Sequence, residues 1–122
     1  MKKIFFYTDV LQFLSRERDA INKLKSNLEI FKGVKEDVLV IWHPWSGTEE
    51  YLRINRSGVT GEYKKIVDRF CEEGWGNLDT SDTYQSAKAV LFDCDAYYGD
   101  PSDLAYEAQA VKMPVMLRNL DV

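Results

Sequence analysis

The sequence predicts an α/β fold: a Rossmann-like three-layer αβα sandwich around a parallel sheet of about five strands. Two observations carry this. Short β-branched and aromatic runs alternate along the chain with longer segments whose apolar residues recur at helical spacing. The 122-residue length suits one such domain, residues 1–122, and not two. Right-handed crossovers between parallel strands then fix the Rossmann-like handedness.

Residues 3–8 (Lys-Ile-Phe-Phe-Tyr-Thr) read as a first strand, apolar on both faces. Leu14, Ile21, Leu24, Leu28 and Phe31 follow at steps of seven, three and four, the stripe of a helix lying on a sheet. Asp9 or Ser15 opens that helix, and Gly33 is a natural stop. Residues 37–42 (Asp-Val-Leu-Val-Ile-Trp) form the clearest strand, expected to be central and fully buried over 38–41. The run His43-Pro44-Trp45-Ser46-Gly47 ends it.

Residues 48–56 read as a short helix broken at Ser57-Gly58. Thr60 caps the next helix, which carries Tyr63, Ile66, Val67 and Phe70 on one side and stops at Gly74. Residues 75–78 read as a short strand. Ser81 or Asp82 then caps a helix running to about Leu91, with Tyr84, Ala87, Val90 and Leu91 turned inward. Residues 96–98 are a further strand and Gly99-Asp100-Pro101 a turn. Ser102 caps a helix over 103–111, and residues 114–117 close the sheet, starting at a proline that an edge position tolerates.

Composition narrows the function classes. Sixteen basic residues stand against 20 acidic, a net charge of −4, which argues against a nucleic-acid partner. No apolar run has the length of a membrane span. A single histidine and two cysteines, Cys71 and Cys94, without metal-ligand spacing predict no metal site and no cofactor. Both thiols read as reduced and structural, and the compartment as cytoplasmic.

Ligands of open α/β sheets collect at the C-terminal strand ends. The expected site therefore lies where the loops after Trp42 and Tyr98 approach one another. His43, Trp45 and Ser46, with Trp42, offer aromatic faces and polar tips that suit a sugar or a base; equally, His43 and Trp45 can simply cover a sheet edge. The second loop, Tyr98-Gly99-Asp100-Pro101-Ser102-Asp103, runs straight into a helix N-terminus, where free amides and the helix dipole favour an anion. The Asp103 carboxylate competes for those amides. No Walker or Gly-x-Gly-x-x-Gly motif is present.

Three stretches carry a resemblance: Glu72-Glu73-Gly74-Trp75-Gly76 with Asp79; Asp95-Ala96-Tyr97-Tyr98-Gly99-Asp100-Pro101-Ser102; and Lys112-Met113-Pro114-Val115-Met116-Leu117-Arg118-Asn119. Together they resemble the C-terminal domain of CDP-glycerol glycerophosphotransferase-like proteins, bacterial enzymes of teichoic acid and capsular polysaccharide assembly. The resemblance implies the donor-side half of a two-half GT-B glycosyltransferase-type fold. Its partners would be a nucleotide or nucleotide-linked donor and a missing N-terminal half, and the chain alone would be inactive. Through the full-length protein it would associate with the inner face of the cell membrane.

By that resemblance Asp100 and Ser102 match the first Asp and first Ser of the family's Asp-x-Ser-Ser helix start and sit at the donor pyrophosphate. The second Ser is Asp103 here. The family's Trp-Arg-Pro-His-Pro strand end reads Trp42-His43-Pro44-Trp45-Ser46, so Trp45 holds the histidine position and His43 the arginine position. No catalytic residue is assigned. An alternative is a nucleoside 2-deoxyribosyltransferase-like enzyme, echoed by Asp100, Glu107 and Pro114-Val115, with Glu107 closer to Pro114 than that pattern has it. A second alternative is a degenerate, non-catalytic interaction domain.

Overall fold

The computed structural model describes residues 1–118; Asn119, the last residue of the third stretch, lies outside them. The elements are β1 (Lys2–Thr8), α1 (Leu11–Ser15), α2 (Glu17–Gly33), β2 (Val38–Pro44), α3 (Thr48–Asn55), α4 (Ser57–Glu73), β3 (Asn77–Leu78), α5 (Tyr84–Phe92), β4 (Ala96–Gly99), α6 (Asp103–Ala110) and β5 (Val115–Leu117). All five strands are parallel, in the order β3-β2-β1-β4-β5. This is the Rossmann-like α/β sandwich the alternation predicts. The chain reverses its direction of growth between β1 and β4, which makes that gap the topological switch point.

The pleat of β1 sorts its side chains between two layers. Phe6 faces α1, α2, α3 and α4, where Phe13, Ile21, Leu24, Leu52, Tyr63 and Phe70 pack with Val40 and Trp42. Phe5 and Tyr7 face α5 and α6, against Ala87, Leu91, Tyr97, Leu104, Ala105 and Ala108. The second layer is thinner, built from two short helices whose buried residues are mostly alanine.

That asymmetry corrects the expectation for residues 38–41. The central strand is β1, with β2 displaced toward an edge formed by the two residues of β3. Val40 is fully buried, but Val38, Leu39 and Ile41 are half-buried. Val38 shares the face of Val40 but stands at the start of the strand, and Leu39 and Ile41 lie on the other face, outside the cluster formed with α5 and α6. The strand also runs on through His43 and Pro44, paired with Tyr7 and Thr8.

Two helix boundaries differ from expectation for one reason. The long first helix is interrupted at Arg16 (φ −145°, ψ 62°), and the break between α3 and α4 falls at Arg56 (φ −145°, ψ 56°), so Ser57-Gly58 starts α4 instead of breaking a helix. The Arg56 guanidinium donates to the Leu14 carbonyl at 3.1 Å and pairs with Glu17 at 2.9 Å, tying the two breaks together. Gly74 ends α4 in the left-handed region (φ 69°), as its position predicted. Thr83, not Ser81 or Asp82, caps α5, accepting from the Ser86 amide at 3.1 Å. Tyr84 is turned outward, 43% exposed, whereas Ala87 and Leu91 are buried. Among the described residues, no helix is long and apolar enough to cross a membrane.

Candidate functional site

At the C-terminal edge of the sheet the switch point itself is filled. Asp100 leaves β4 and accepts a fork from Arg118, Nε to Oδ1 at 2.8 Å and a terminal nitrogen to Oδ2 at 3.2 Å. Oδ2 also accepts the Asp9 amide at 2.7 Å, so one carboxylate ties together the ends of β1, β4 and β5. Arg118 donates onward to Asn27 of α2 at 3.0 Å, and its guanidinium lies 5.7 Å from the Phe6 ring centre. Both side chains of the pair are shut from solvent, at 0% and 1%. Gly99 permits this closure: its φ is 148°, and its backbone lies against Tyr7.

The open space lies beside this plug, on the α5–α6 side. A cavity of about 270 Å³ is bordered by Tyr7, His43, Trp45, Ser46, Ser81, Asp82, Thr83, Tyr84, Ser102 and Asp103, with Ala87 and Leu104 beneath. The N-termini of α5 and α6 both open onto it. Ser102 occupies the N-cap position of α6, but its side chain makes no cap hydrogen bond; its Oγ lies 2.9 Å from the Tyr97 hydroxyl instead. The first amides of α6 are therefore left to solvent or a ligand.

His43 forms the opposite wall. Its Nδ1 lies 2.9 Å from Asp79 Oδ2, and Asp79 Oδ1 accepts from the Ser81 hydroxyl at 2.8 Å. The imidazole stacks on Phe5 and Tyr7, with ring centres 5.5 and 5.9 Å away. Tyr7 donates its hydroxyl to Asp9 at 3.1 Å. Burial, and then the Asp9 charge, push that phenol far above its ordinary range, so Tyr7 stays a neutral donor. Burial likewise raises Tyr97.

The structure gathers five of the eight sequence-derived candidates around this cavity: His43, Trp45, Ser46, Ser102 and Asp103. Three are elsewhere. Tyr98 points to the other layer, packing on Phe31 and Phe6 and bonded to Asn27 through its hydroxyl. Gly99 and Asp100 belong to the filled switch point. Trp42 is also remote, buried in the α2–α4 layer with its Nε1 donating to Thr8 at 3.0 Å. Sequence reasoning missed Asp79, Arg118 and Tyr7. Their signal was positional, because each lies at the C-terminal end of a strand.

Glu107 pairs with Lys88 at 3.2 Å and does not border the cavity. Both cysteines are free, and burial pushes the Cys94 thiol up to about 11, away from the thiolate form at neutral pH. Among the described residues no cluster of histidine, cysteine and carboxylate side chains is arranged to hold a metal. No protein-family model matches the chain, and no curated protein and no solved structure is significantly similar to it.

Proposed function

We propose that the chain is the donor-side half of a two-half transferase of the glycerophospho- or glycosyltransferase type, and that its cavity receives the phosphate-bearing part of a nucleotide-linked donor. The observation that carries the reading is the convergence of the α5 and α6 N-termini on a cavity at the C-terminal sheet edge, next to the switch point. Uncapped amides at Ser102–Leu104 are a seat for an anion. The reading places the protein in the cytoplasm.

The same wall limits affinity. Asp82 and Asp103 border the cavity and neither lysine nor arginine does. A CMP or CDP phosphate meets helix dipoles but also two carboxylates. Binding is expected on the order of millimolar, about −4 kcal/mol. Asp103→Ser removes one charge beside the amides and restores a hydroxyl; affinity should rise about fivefold, equivalent to about 1 kcal/mol. An amide-resolved NMR titration with CMP and CDP reads both. If no amide from Gly99 to Ala105 shifts, and Asp103→Ser binds no better than the parent, α6 is merely an open helix end and the reading fails.

Alone, the chain is expected to turn over neither CDP-glycerol nor a nucleotide sugar. In the two-half architecture the reacting groups meet in a cleft that needs both halves, and Trp45 holds the position of the family's histidine. Nucleotide release above a protein-free blank would overturn this expectation. Nothing in the arrangement favours the deoxyribosyltransferase-like alternative, since Asp100 is bound to Arg118 and Glu107 to Lys88.

A further inference from the structure

The cavity contains a feature that an anion seat does not need. His43 is 5% exposed and held from three sides: Phe5 and Tyr7 stack on the ring, and Asp79 takes Nδ1. Asp79 is itself fixed. Its amide donates to the Trp42 carbonyl at 2.7 Å, and Oδ1 accepts from both the Ser81 amide, at 3.3 Å, and the Ser81 hydroxyl. A carboxylate that already accepts from Ser81 also accepts from His43, which places the proton of the neutral ring on Nδ1. The lone pair is then on Nε2.

Nε2 has no polar partner among the described residues. Trp75 Nε1 is the one side-chain nitrogen or oxygen there that is both sealed from solvent and unpartnered. Nε2 therefore reaches solvent, and the space that His43 borders is the cavity. The charged and titratable groups around it are Asp79, bonded to Nδ1 from the end of β3, and, along the cavity, Tyr7 on β1 with its hydroxyl turned to Asp9, Asp82 ahead of α5, Tyr84 at the start of α5 and Asp103 on α6. An acceptor nitrogen among carboxylates disfavours an anionic group at this end of the cavity and suits a neutral hydrogen-bond donor.

We propose that His43 and Asp79 form a proton-accepting dyad whose open nitrogen accepts a hydrogen bond from an uncharged hydroxyl group of a bound ligand, with Asp79 as the positioning residue that sets the tautomer. The ligand hydroxyl donates to Nε2; if that proton transfers, the O–H electron pair stays on the oxygen and the resulting imidazolium is held by the Asp79 carboxylate. The proposal rests on the cavity being a ligand site and not on the ligand carrying a nucleotide. A failed CMP titration therefore leaves it standing.

The chain has one histidine, so ring signals need no assignment. In ¹⁵N-labelled protein with the ring neutral, Nδ1 is expected to carry the proton, and glycerol, used as a hydroxyl probe at molar concentration, should shift Nε2. Diethyl pyrocarbonate should modify His43 in the folded protein, and Asp79→Asn should slow that reaction about tenfold by releasing the tautomer. Ser46→Ala, with dyad and stacking untouched, should retain the parent tautomer. A proton on Nε2 in the parent, no glycerol shift, or a histidine that reacts only after unfolding would each overturn the proposal. Should Asp79→Asn not fold, the parent tautomer and reactivity decide alone.

Discussion

Asp100→Ala should destabilise the domain by about 3–5 kcal/mol, the usual cost of removing one partner from a buried ion pair. The Arg118 side chain has no exposed surface, and its fork closes on Asp100. Without the carboxylate, Arg118 keeps, among the described residues, only Asn27 as a hydrogen-bond partner for its side chain, and the Asp9 amide loses the acceptor at 2.7 Å. A full positive charge would remain beside the ring of Phe6, where water cannot replace the lost oxygens. Urea unfolding measures the loss. The paired change Asp100→Leu with Arg118→Met, which removes both charges, should recover much of it. A loss below about 1 kcal/mol in Asp100→Ala would mean that the pair is not sealed from water.

This ion pair also shows what the sequence made legible and what it did not. Strands and helices followed from local pattern: residues 3–8 and 37–42 could hardly be anything but strands, and Gly74 and Ser102 marked helix ends. The places of Asp100 and Arg118 depend on which strands are neighbours. They lie 18 residues apart and meet because β5 runs beside β4. The same holds for His43 and Asp79, brought together by β2 and β3 across 36 residues. A turn aspartate after a short strand looks like any other turn aspartate until the sheet order is known.

Tyr98 could have been placed more closely. Tyr97 and Tyr98 are adjacent on one strand, so their side chains must go to opposite layers. Tyr97 reaches Ser102 and the start of α6, which leaves Tyr98 for α2. Period-two alternation holds that information, but choosing the face requires knowing where α6 packs. The helix breaks at Arg16 and Arg56 were hidden for a related reason. Arginine is a good helix former, and these two breaks are joined through tertiary contacts of Arg56 with Leu14 and Glu17.

Gly99→Ala is expected to be the most damaging single methyl in the chain, costing about 4 kcal/mol or more and leaving little folded protein at 37 °C. A Cβ at this position would stand 2.1 Å from the Tyr7 carbonyl oxygen and 2.8 Å from its nitrogen, and both are main-chain atoms of the central strand. No rotamer change relieves such a contact, and a φ of 148° is itself strained for alanine. To make room, β4 must move away from β1 where Gly99 pairs with Tyr7. That movement breaks the Asp100 amide bond to the Tyr7 carbonyl, 3.0 Å, and pulls the Asp100 carboxylate from the Asp9 amide. Arg118, whose amide donates to the Gly99 carbonyl at 2.8 Å, is dragged with it. α6 starts at Asp103, four residues after Gly99, so the wall carrying Ser102 and Asp103 would shift relative to His43 even in the fraction that folds. A thermal melt and the His43 ring signals would report the two effects separately. A melting temperature within a few degrees of the parent would mean that β1 and β4 are not packed this closely, and the filled switch point would have to be abandoned with them.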